Sequence, residues 1–141
     1  MALTVTEREQ FLSEPHIAAL SVEAEPGRAP LTVPIWYQYT PVERPWLLTG
    51  TESRKLGLIR AAGRFTLMVE RVEPTIRYAS VSGDVVGYDD ATRDDLWEMA
   101  ARYLPEEKVG PYVDFAWDNH GPQTRVTLEP RQWVSLDLGS V

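Results

Sequence analysis

Cysteine is absent from this sequence of 141 residues, and histidine occurs only twice. Without cysteine, the chain can form neither a disulfide bond nor a thiolate metal site. His16 and His120 lie far apart in the sequence, and neither belongs to a pattern with ligand-like spacing. We therefore expect no metal centre, and the lack of cysteine is compatible with a cytoplasmic location.

Long apolar runs and an excess of basic residues are also missing. No run approaches the ~20 apolar residues that cross a bilayer, and the N-terminus has no basic region followed by an apolar stretch, so we expect neither a membrane span nor a signal peptide. Acidic side chains outnumber basic ones by 21 to 14, which gives a net charge of −7. Such a surface repels phosphodiester backbones. These features predict a cytoplasmic protein that acts on a small molecule, with no nucleic-acid or membrane partner.

The familiar catalytic motifs are not found either. The sequence has no Gly-x-Gly-x-x-Gly and no Walker loop, which argues against a dinucleotide fold and a P-loop enzyme. It has no Gly-x-Ser-x-Gly elbow for a serine hydrolase. A protein without an evident nucleophile, metal or acid–base pair is either inert or takes its chemistry from a cofactor. Composition alone does not choose between these two possibilities.

Short strand-like segments dominate the hydrophobic pattern, separated by turns rich in proline and glycine. The predicted strands are 17–22, 31–39, 46–49, 64–70, 77–86, 124–128 and 133–136. Four helices are predicted. The first is short and is opened by the capping-box spacing of residues 6–9, and the second covers 53–62 and stops at Gly63. The third runs from about residue 92 to 103, and the fourth covers 106–119 with an interruption at Gly110-Pro111. This pattern is typical of an antiparallel β-barrel with peripheral helices, an α+β fold with mainly β content.

The segment Thr49-Gly50-Thr51-Glu52-Ser53-Arg54-Lys55 lies where a strand turns into a helix. Unsatisfied backbone N–H groups and the positive end of the helix dipole favour an anion there. The hydroxyl side chains add hydrogen-bond donors, and the two cations add positive charge. From these residues alone, a capped surface helix with two solvated cations is an equally good interpretation.

The order of several segments resembles a known superfamily over about residues 11–88. These segments are a hairpin, the strand 31–36, the helix entrance 49–55, the apolar strand 65–69 and the strand 78–85. Together they are similar to the flavin and deazaflavin oxidoreductases built on the pyridoxamine 5'-phosphate oxidase split β-barrel. The resemblance implies a single split-barrel domain over residues 1–141.

The resemblance also implies site residues, although it assigns no catalytic residue. In that superfamily the segment matching Ser53, Arg54 and Lys55 binds the phosphate of FMN or the phosphate end of coenzyme F420, so we expect these residues to bind it here, supported by Thr49 and Thr51. The strand that runs beside the cofactor ring corresponds to residues 33–36, namely Val33, Pro34, Ile35 and Trp36. A homodimer with the site at its interface is implied, and Arg77, Tyr78 and Trp117 are the candidate partner-chain residues, with Tyr78 preferred to Trp117.

The C-terminal sequence lacks the arginine-rich segment of true pyridoxamine-phosphate oxidases, so vitamin B6 oxidation is not expected. The ending is more similar to short F420-dependent reductases, which implies hydride transfer to an unsaturated or conjugated organic substrate. The alternatives are an FMN-dependent oxidoreductase of the same fold and a non-catalytic flavin- or haem-binding protein. F420 carries a polyglutamate tail, which favours a basic groove, and this requires the cations at positions 28, 54, 55, 60 and 64 to converge.

Overall fold

A computed structural model describes residues 1–139, which contain seven strands and four helices. The strands are β1 (Ala18–Val22), β2 (Leu31–Ile35), β3 (Tyr37–Gln38), β4 (Trp46–Gly50), β5 (Arg64–Arg71), β6 (Ile76–Asp90) and β7 (Gln123–Gly139). The helices are α1 (Val5–Ser13), α2 (Arg54–Ala62), α3 (Arg93–Tyr103) and α4 (Glu106–Asn119). No helix within these residues is both long and apolar enough to cross a membrane.

The seven strands form one antiparallel sheet in the order β2-β1-β5-β6-β7-β4-β3. Its two edge strands, β2 and β3, are separated in the sequence by Trp36 alone. Because one residue spans only ~3.5 Å, the sheet has to curl until its two edges meet at Trp36. This closure confirms the antiparallel barrel with peripheral helices that the sequence pattern predicts.

The strand predicted over residues 31–39 is therefore two strands. Pro34 lies inside β2 and does not interrupt it, because β2 is an edge strand and the missing N–H is tolerated there. The interruption comes at Trp36 instead.

The C-terminal half also differs from the prediction, since segments 124–128 and 133–136 belong to the single strand β7. A shift in register between Ser82 and Gly83 on β6 places Gly83 opposite Pro130 of β7. This β-bulge bends β7 without ending it, which is how a proline fits inside a long strand.

The barrel interior is filled by side chains from nearly every strand. Leu20, Leu67, Val81 and Leu128 project inward from neighbouring strands and are fully buried, and α2 adds Ile59. Alternate residues of the same strands face outward, which is the expected pattern for a sheet with one buried face.

Two helix predictions need correction. The capping box of α1 is formed by Thr4 and Glu7, so the helix begins at Val5 and not at the spacing of residues 6–9. Helix α4 is continuous from residue 106 to 119 and contains Pro111. Burial of its apolar face against α3 compensates for the hydrogen bond that Pro111 cannot donate.

Helices α3 and α4 form a hairpin that packs on the outside of the barrel. Their own small core is centred on Leu96, Ala100, Val109 and Val113, and Leu48 of β4 packs against it. Thr92 and Asp95 form the capping box of α3. The space between this hairpin and the barrel wall contains the candidate site.

Candidate functional site

A cleft of about 470 Å³ lies between the α3–α4 hairpin and the barrel, and we call it the Lys55 cleft. One side is formed by the junction of β2 and β3, the other by the end of β4 and the start of α2, and the outer wall by α3 and α4. Its lining residues are Ile17, Pro34, Ile35, Trp36, Leu48, Thr49, Gly50, Lys55, Leu96, Met99, Ala100, Tyr112 and Gln123. The cleft thus brings together Pro34, Ile35, Trp36, Thr49 and Lys55 from the residues predicted by the sequence.

Lys55 is the only charged side chain that lines this cleft among residues 1–139. It is half-buried and forms no ion pair with any other described residue. Removing an ammonium group from water is costly unless an anion compensates for it. An unpaired lysine facing an otherwise uncharged cleft is therefore a suitable partner for an anionic ligand.

Backbone and hydroxyl donors lie beside this lysine. The N-cap residue of α2 is Ser53, whose Oγ accepts a hydrogen bond from the Leu56 N–H and lies 3.0 Å from Thr49 Oγ1. The two hydroxyl groups share one hydrogen bond, so one of their two hydrogens stays available for a ligand. Within the described chain the N–H groups of Arg54 and Lys55 also have no acceptor, as expected at a helix start. Thr49 faces the cleft directly and is otherwise buried.

The structure places Thr51 and Arg54 away from the cleft. The Thr51 hydroxyl lies 2.9 Å from Thr124 Oγ1, so it fastens the loop after β4 to β7. The Arg54 guanidinium forms two hydrogen bonds with Glu25, of 2.8 and 3.0 Å. These bonds lower the pKa of Glu25 to about 2, so the pair is fully ionised at neutral pH. Arg54 is thus neutralised by a carboxylate in the β1–β2 turn.

The ring-side residues are split between the two faces of β2. Val33 and Ile35 lie on the face that packs against the barrel core, and Pro34 lies on the outer face. Of these three, Pro34 and Ile35 line the Lys55 cleft. Trp36 forms the end of the cleft, where its indole stacks on Tyr103 at a centroid distance of 4.7 Å and lies tilted against Tyr112 at 5.9 Å. Two rings, one from α3 and one from α4, therefore hold Trp36 in a fixed orientation.

Tyr103 fixes this end of the cleft through its hydroxyl group. The oxygen accepts a hydrogen bond from the Tyr37 N–H at 3.1 Å and lies within donating distance of the carbonyls of His16 (2.7 Å) and Tyr37 (3.0 Å). Sequence reasoning assigned Tyr103 only to the apolar face of α3 and missed its contact with β3. No local sequence signal marks this contact, since the partners are separated by 66 residues.

Tyr78 and Arg77 do not reach the Lys55 cleft. Tyr78 is on the outer face of β6, opposite Glu70 and Leu136 in the register. The Arg77 guanidinium donates to Asp137 at 2.8 Å. Trp117 lies on α4 and lines a second cavity beside the cleft, within the same chain.

The basic groove required by a polyanionic tail is not assembled. Arg54 is paired with Glu25, and Arg64 lies 3.9 Å from a Glu23 oxygen. Arg60 is placed over the ring of Tyr88 at 4.3 Å. The convergence that such a groove would require is therefore not found for Arg54, Arg60 and Arg64, and Lys55 is the cation that lines the cleft among residues 1–139.

Comparison with known proteins identifies the fold. No family model and no curated protein matches the sequence. Among solved structures, a conserved hypothetical protein of Mycobacterium tuberculosis has a TM-score of 0.72 at 20% identity, covering 97% of this chain and 86% of its own. An F420 reductase has a TM-score of 0.60 at 18% identity, and the alignment covers 89% of this chain and 94% of the reductase. A protein of Listeria innocua described as a candidate pyridoxamine 5'-phosphate oxidase has a TM-score of 0.64 at 12% identity, and the alignment covers 94% of this chain and 97% of that protein.

These likenesses confirm the fold inferred from the sequence, the antiparallel split β-barrel of the pyridoxamine 5'-phosphate oxidase type. The F420 reductase shares it over most of both chains. At identities of 20% or less, the likeness establishes the architecture and leaves the activity to be argued from the site itself.

The cleft offers a binding surface with few groups for acid–base chemistry. Among the described residues it is lined by no carboxylate and no histidine, and its titratable side chains are those of Lys55 and Tyr112. A site with one anion-binding end and an apolar, aromatic remainder can position a ligand and exclude water, while the reactive group has to come from that ligand.

Proposed function

We propose that this protein is an oxidoreductase that binds a flavin-type cofactor in the Lys55 cleft, with coenzyme F420 as the first candidate. The observation that carries the proposal is the half-buried Lys55 beside the free N–H groups of α2: within residues 1–139 it has no ion-pair partner and is the only charged side chain in the cleft. This donor set matches a phosphate group. The F420 reductase of the same fold supports the choice of cofactor.

In this proposal each part of the cleft has a separate task. Lys55, the N–H groups of α2 and the shared hydroxyl hydrogen of Thr49 and Ser53 bind the phosphate. Pro34, Ile35 and Trp36 hold the ring system against the barrel and exclude water. When bound there, the cofactor would supply a hydride to one carbon of a conjugated double bond of the substrate, with two-electron oxidation of the cofactor and a proton from water for the other carbon.

FMN is the second candidate, and the distribution of charge favours it. F420 adds a polyglutamate tail to the phosphate, whereas Arg54, Arg64 and Arg60 are engaged by Glu25, Glu23 and Tyr88, respectively. A monophosphate needs only the donors around Lys55. The measurement that separates the candidates is titration of the purified protein with F420 and with FMN, monitored by cofactor fluorescence.

Replacement of Lys55 tests the phosphate assignment. Loss of a charge-assisted hydrogen bond costs about 1.5–3 kcal/mol, so we expect Lys55→Gln to weaken cofactor binding roughly 10- to 100-fold. Arg54→Gln is the matched control, because it removes the neighbouring positive charge, which is already paired with the Glu25 carboxylate. Its dissociation constant should change less than threefold.

Two outcomes would contradict the proposal. Equal effects of the two variants would show that the charge of the region, and not a phosphate site at Lys55, governs binding. Tight cofactor binding without oxidation of the reduced cofactor by any conjugated acceptor would favour the non-catalytic alternative, a flavin- or haem-binding protein.

We further propose a homodimer that closes the cleft. The outer face of the sheet carries two uncharged rows in register, Thr32-Ser21-Thr66-Ser82-Gln132 and Pro34-Ala19-Met68-Ser80-Val134. These side chains are half-exposed or exposed, although a quarter of all residues are charged. The Lys55 cleft opens onto this face at Ile17 and Pro34. A second copy seated here would form a further wall of the cleft and bring its own Tyr78 to the same face.

A further inference from the structure

A second cavity of about 440 Å³ lies next to the Lys55 cleft, and we call it the Trp117 cavity. It is placed where β6 enters α3 and where α4 leads into β7. Asp90, Thr92 and Trp117 line it, and three residues line both spaces: Leu48, Leu96 and Gln123. A molecule bound in this cavity would therefore lie next to one bound in the Lys55 cleft.

The two spaces differ in their charge. The Trp117 cavity has one charged lining side chain within residues 1–139, the carboxylate of Asp90, and no cation. The Lys55 cleft has one cation and no carboxylate. An anionic ligand is therefore attracted to the Lys55 cleft and repelled from the Trp117 cavity.

Trp117 gives the cavity an aromatic wall. Its side chain is 49% exposed, although an indole is among the side chains with the most to gain from burial. The surrounding lining is largely apolar, from Leu48, Leu96, Ala116 and Pro122. A flat organic molecule stacked on this indole would cover the exposed ring, and a positive charge on that molecule would be favoured both by the indole face and by Asp90. The volume is within the range of small-ligand sites.

We propose that the Trp117 cavity binds a planar organic molecule that is uncharged or cationic, and that this molecule is the hydride acceptor of the reductase. The role of this molecule as hydride acceptor rests on the proposed function, whereas its binding in the Trp117 cavity does not. The Trp117 cavity adjoins the proposed cofactor site through Leu48, Leu96 and Gln123, and the Asp90 carboxylate disfavours acceptors that carry a negative charge.

The test measures binding of the planar cation proflavine to the protein without cofactor, by dye fluorescence, with the planar anion fluorescein as its counterpart. We expect proflavine to bind at least tenfold more tightly than fluorescein. Trp117→Ala should weaken proflavine binding roughly tenfold, because it removes the aromatic face on which a flat ring would stack, and Trp117→Phe should retain most of the binding. Trp97→Ala is the matched control, because Trp97 is 48% exposed and lies outside both spaces.

Charge is tested separately with Asp90→Asn, which should weaken proflavine at least threefold and improve fluorescein binding. Equal losses in the Trp117 and Trp97 variants, or fluorescein binding as tight as proflavine, would overturn the proposal. Lys55→Gln separates it from the proposed function. If that variant leaves both cofactor and proflavine binding unchanged, the phosphate assignment fails and the planar-ligand site stands. If it loses cofactor and retains proflavine, both are supported.

Discussion

The hydroxyl group of Tyr103 is expected to contribute measurably to stability, although the residue is only half-buried. Tyr103→Phe keeps the ring that stacks on Trp36 and removes only the oxygen. That oxygen is the acceptor for the Tyr37 N–H and lies within hydrogen-bond distance of the carbonyls of His16 and Tyr37. The variant therefore leaves one buried donor without an acceptor and removes one donor from two carbonyl groups.

The magnitude follows from the cost of an unsatisfied buried group. Leaving a buried N–H unpaired costs about 1–3 kcal/mol, and Tyr37 is fully buried. The carbonyls retain part of their hydration because Tyr103 is partly exposed, so we expect a total loss of about 2 kcal/mol. For a domain of 141 residues, the melting temperature falls by about 3 °C for each kcal/mol, or about 6 °C here.

Urea unfolding monitored by tryptophan fluorescence would measure this loss. Tyr112→Phe is the matched control, because Tyr112 also packs against Trp36 and its hydroxyl has no hydrogen-bond partner among residues 1–139. Its free energy of unfolding should change by less than about 0.5 kcal/mol. A Tyr103→Phe variant as stable as the control would refute the role assigned to the hydroxyl group at the junction of β2 and β3.

Two further variants test the packing of the barrel and its outer face. Gly83→Ala should lower the free energy of unfolding in urea by about 3 kcal/mol or more, because a Cβ there would lie 1.9 Å from the Glu129 carbonyl oxygen. The control is Gly57→Ala in α2, whose Cβ would meet no atom within 4 Å and which should raise the free energy of unfolding by up to about 1 kcal/mol. A Gly83→Ala variant as stable as the wild type would contradict the close approach. Met68→Glu should convert the proposed dimer to a monomer in sedimentation equilibrium, whereas Val72→Glu, at an exposed loop position, should not. A wild-type protein that sediments as a monomer would eliminate the dimer.

Much of the fold follows from local sequence signals. The apolar strands, the Gly63 stop of α2 and the apolar face of α3 are all where local patterns place them. The errors arise where packing between distant segments overrides local preference. Pro111 predicts a broken helix, yet burial against α3 keeps α4 continuous. Asp89 and Asp90 have the character of helix caps, yet they pair with Arg125 and Thr124 as the end of β6.

The candidate site shows the same division. The helix start at Ser53 and the position of Lys55 follow from local sequence, because a strand end, hydroxyl residues and a helix start are close together in the chain. The role of Arg54 does not, since its charge is neutralised by Glu25 in a different turn, 29 residues away. Likewise, the orientation of Trp36 depends on Tyr103 of α3, which only the folded barrel brings near.

Trp36 alone connects β2 to β3, so the length of this connection cannot vary without displacing one of the two strands. Inward-facing side chains continue in strict alternation from Val33 and Ile35 of β2 to Tyr37 of β3. Inserting a single residue here would turn Tyr37 outward or drive β2's apolar side chains into solvent, because strand side chains alternate with a period of two. The length of the connection at Trp36 therefore determines which side chains of both edge strands face the barrel core.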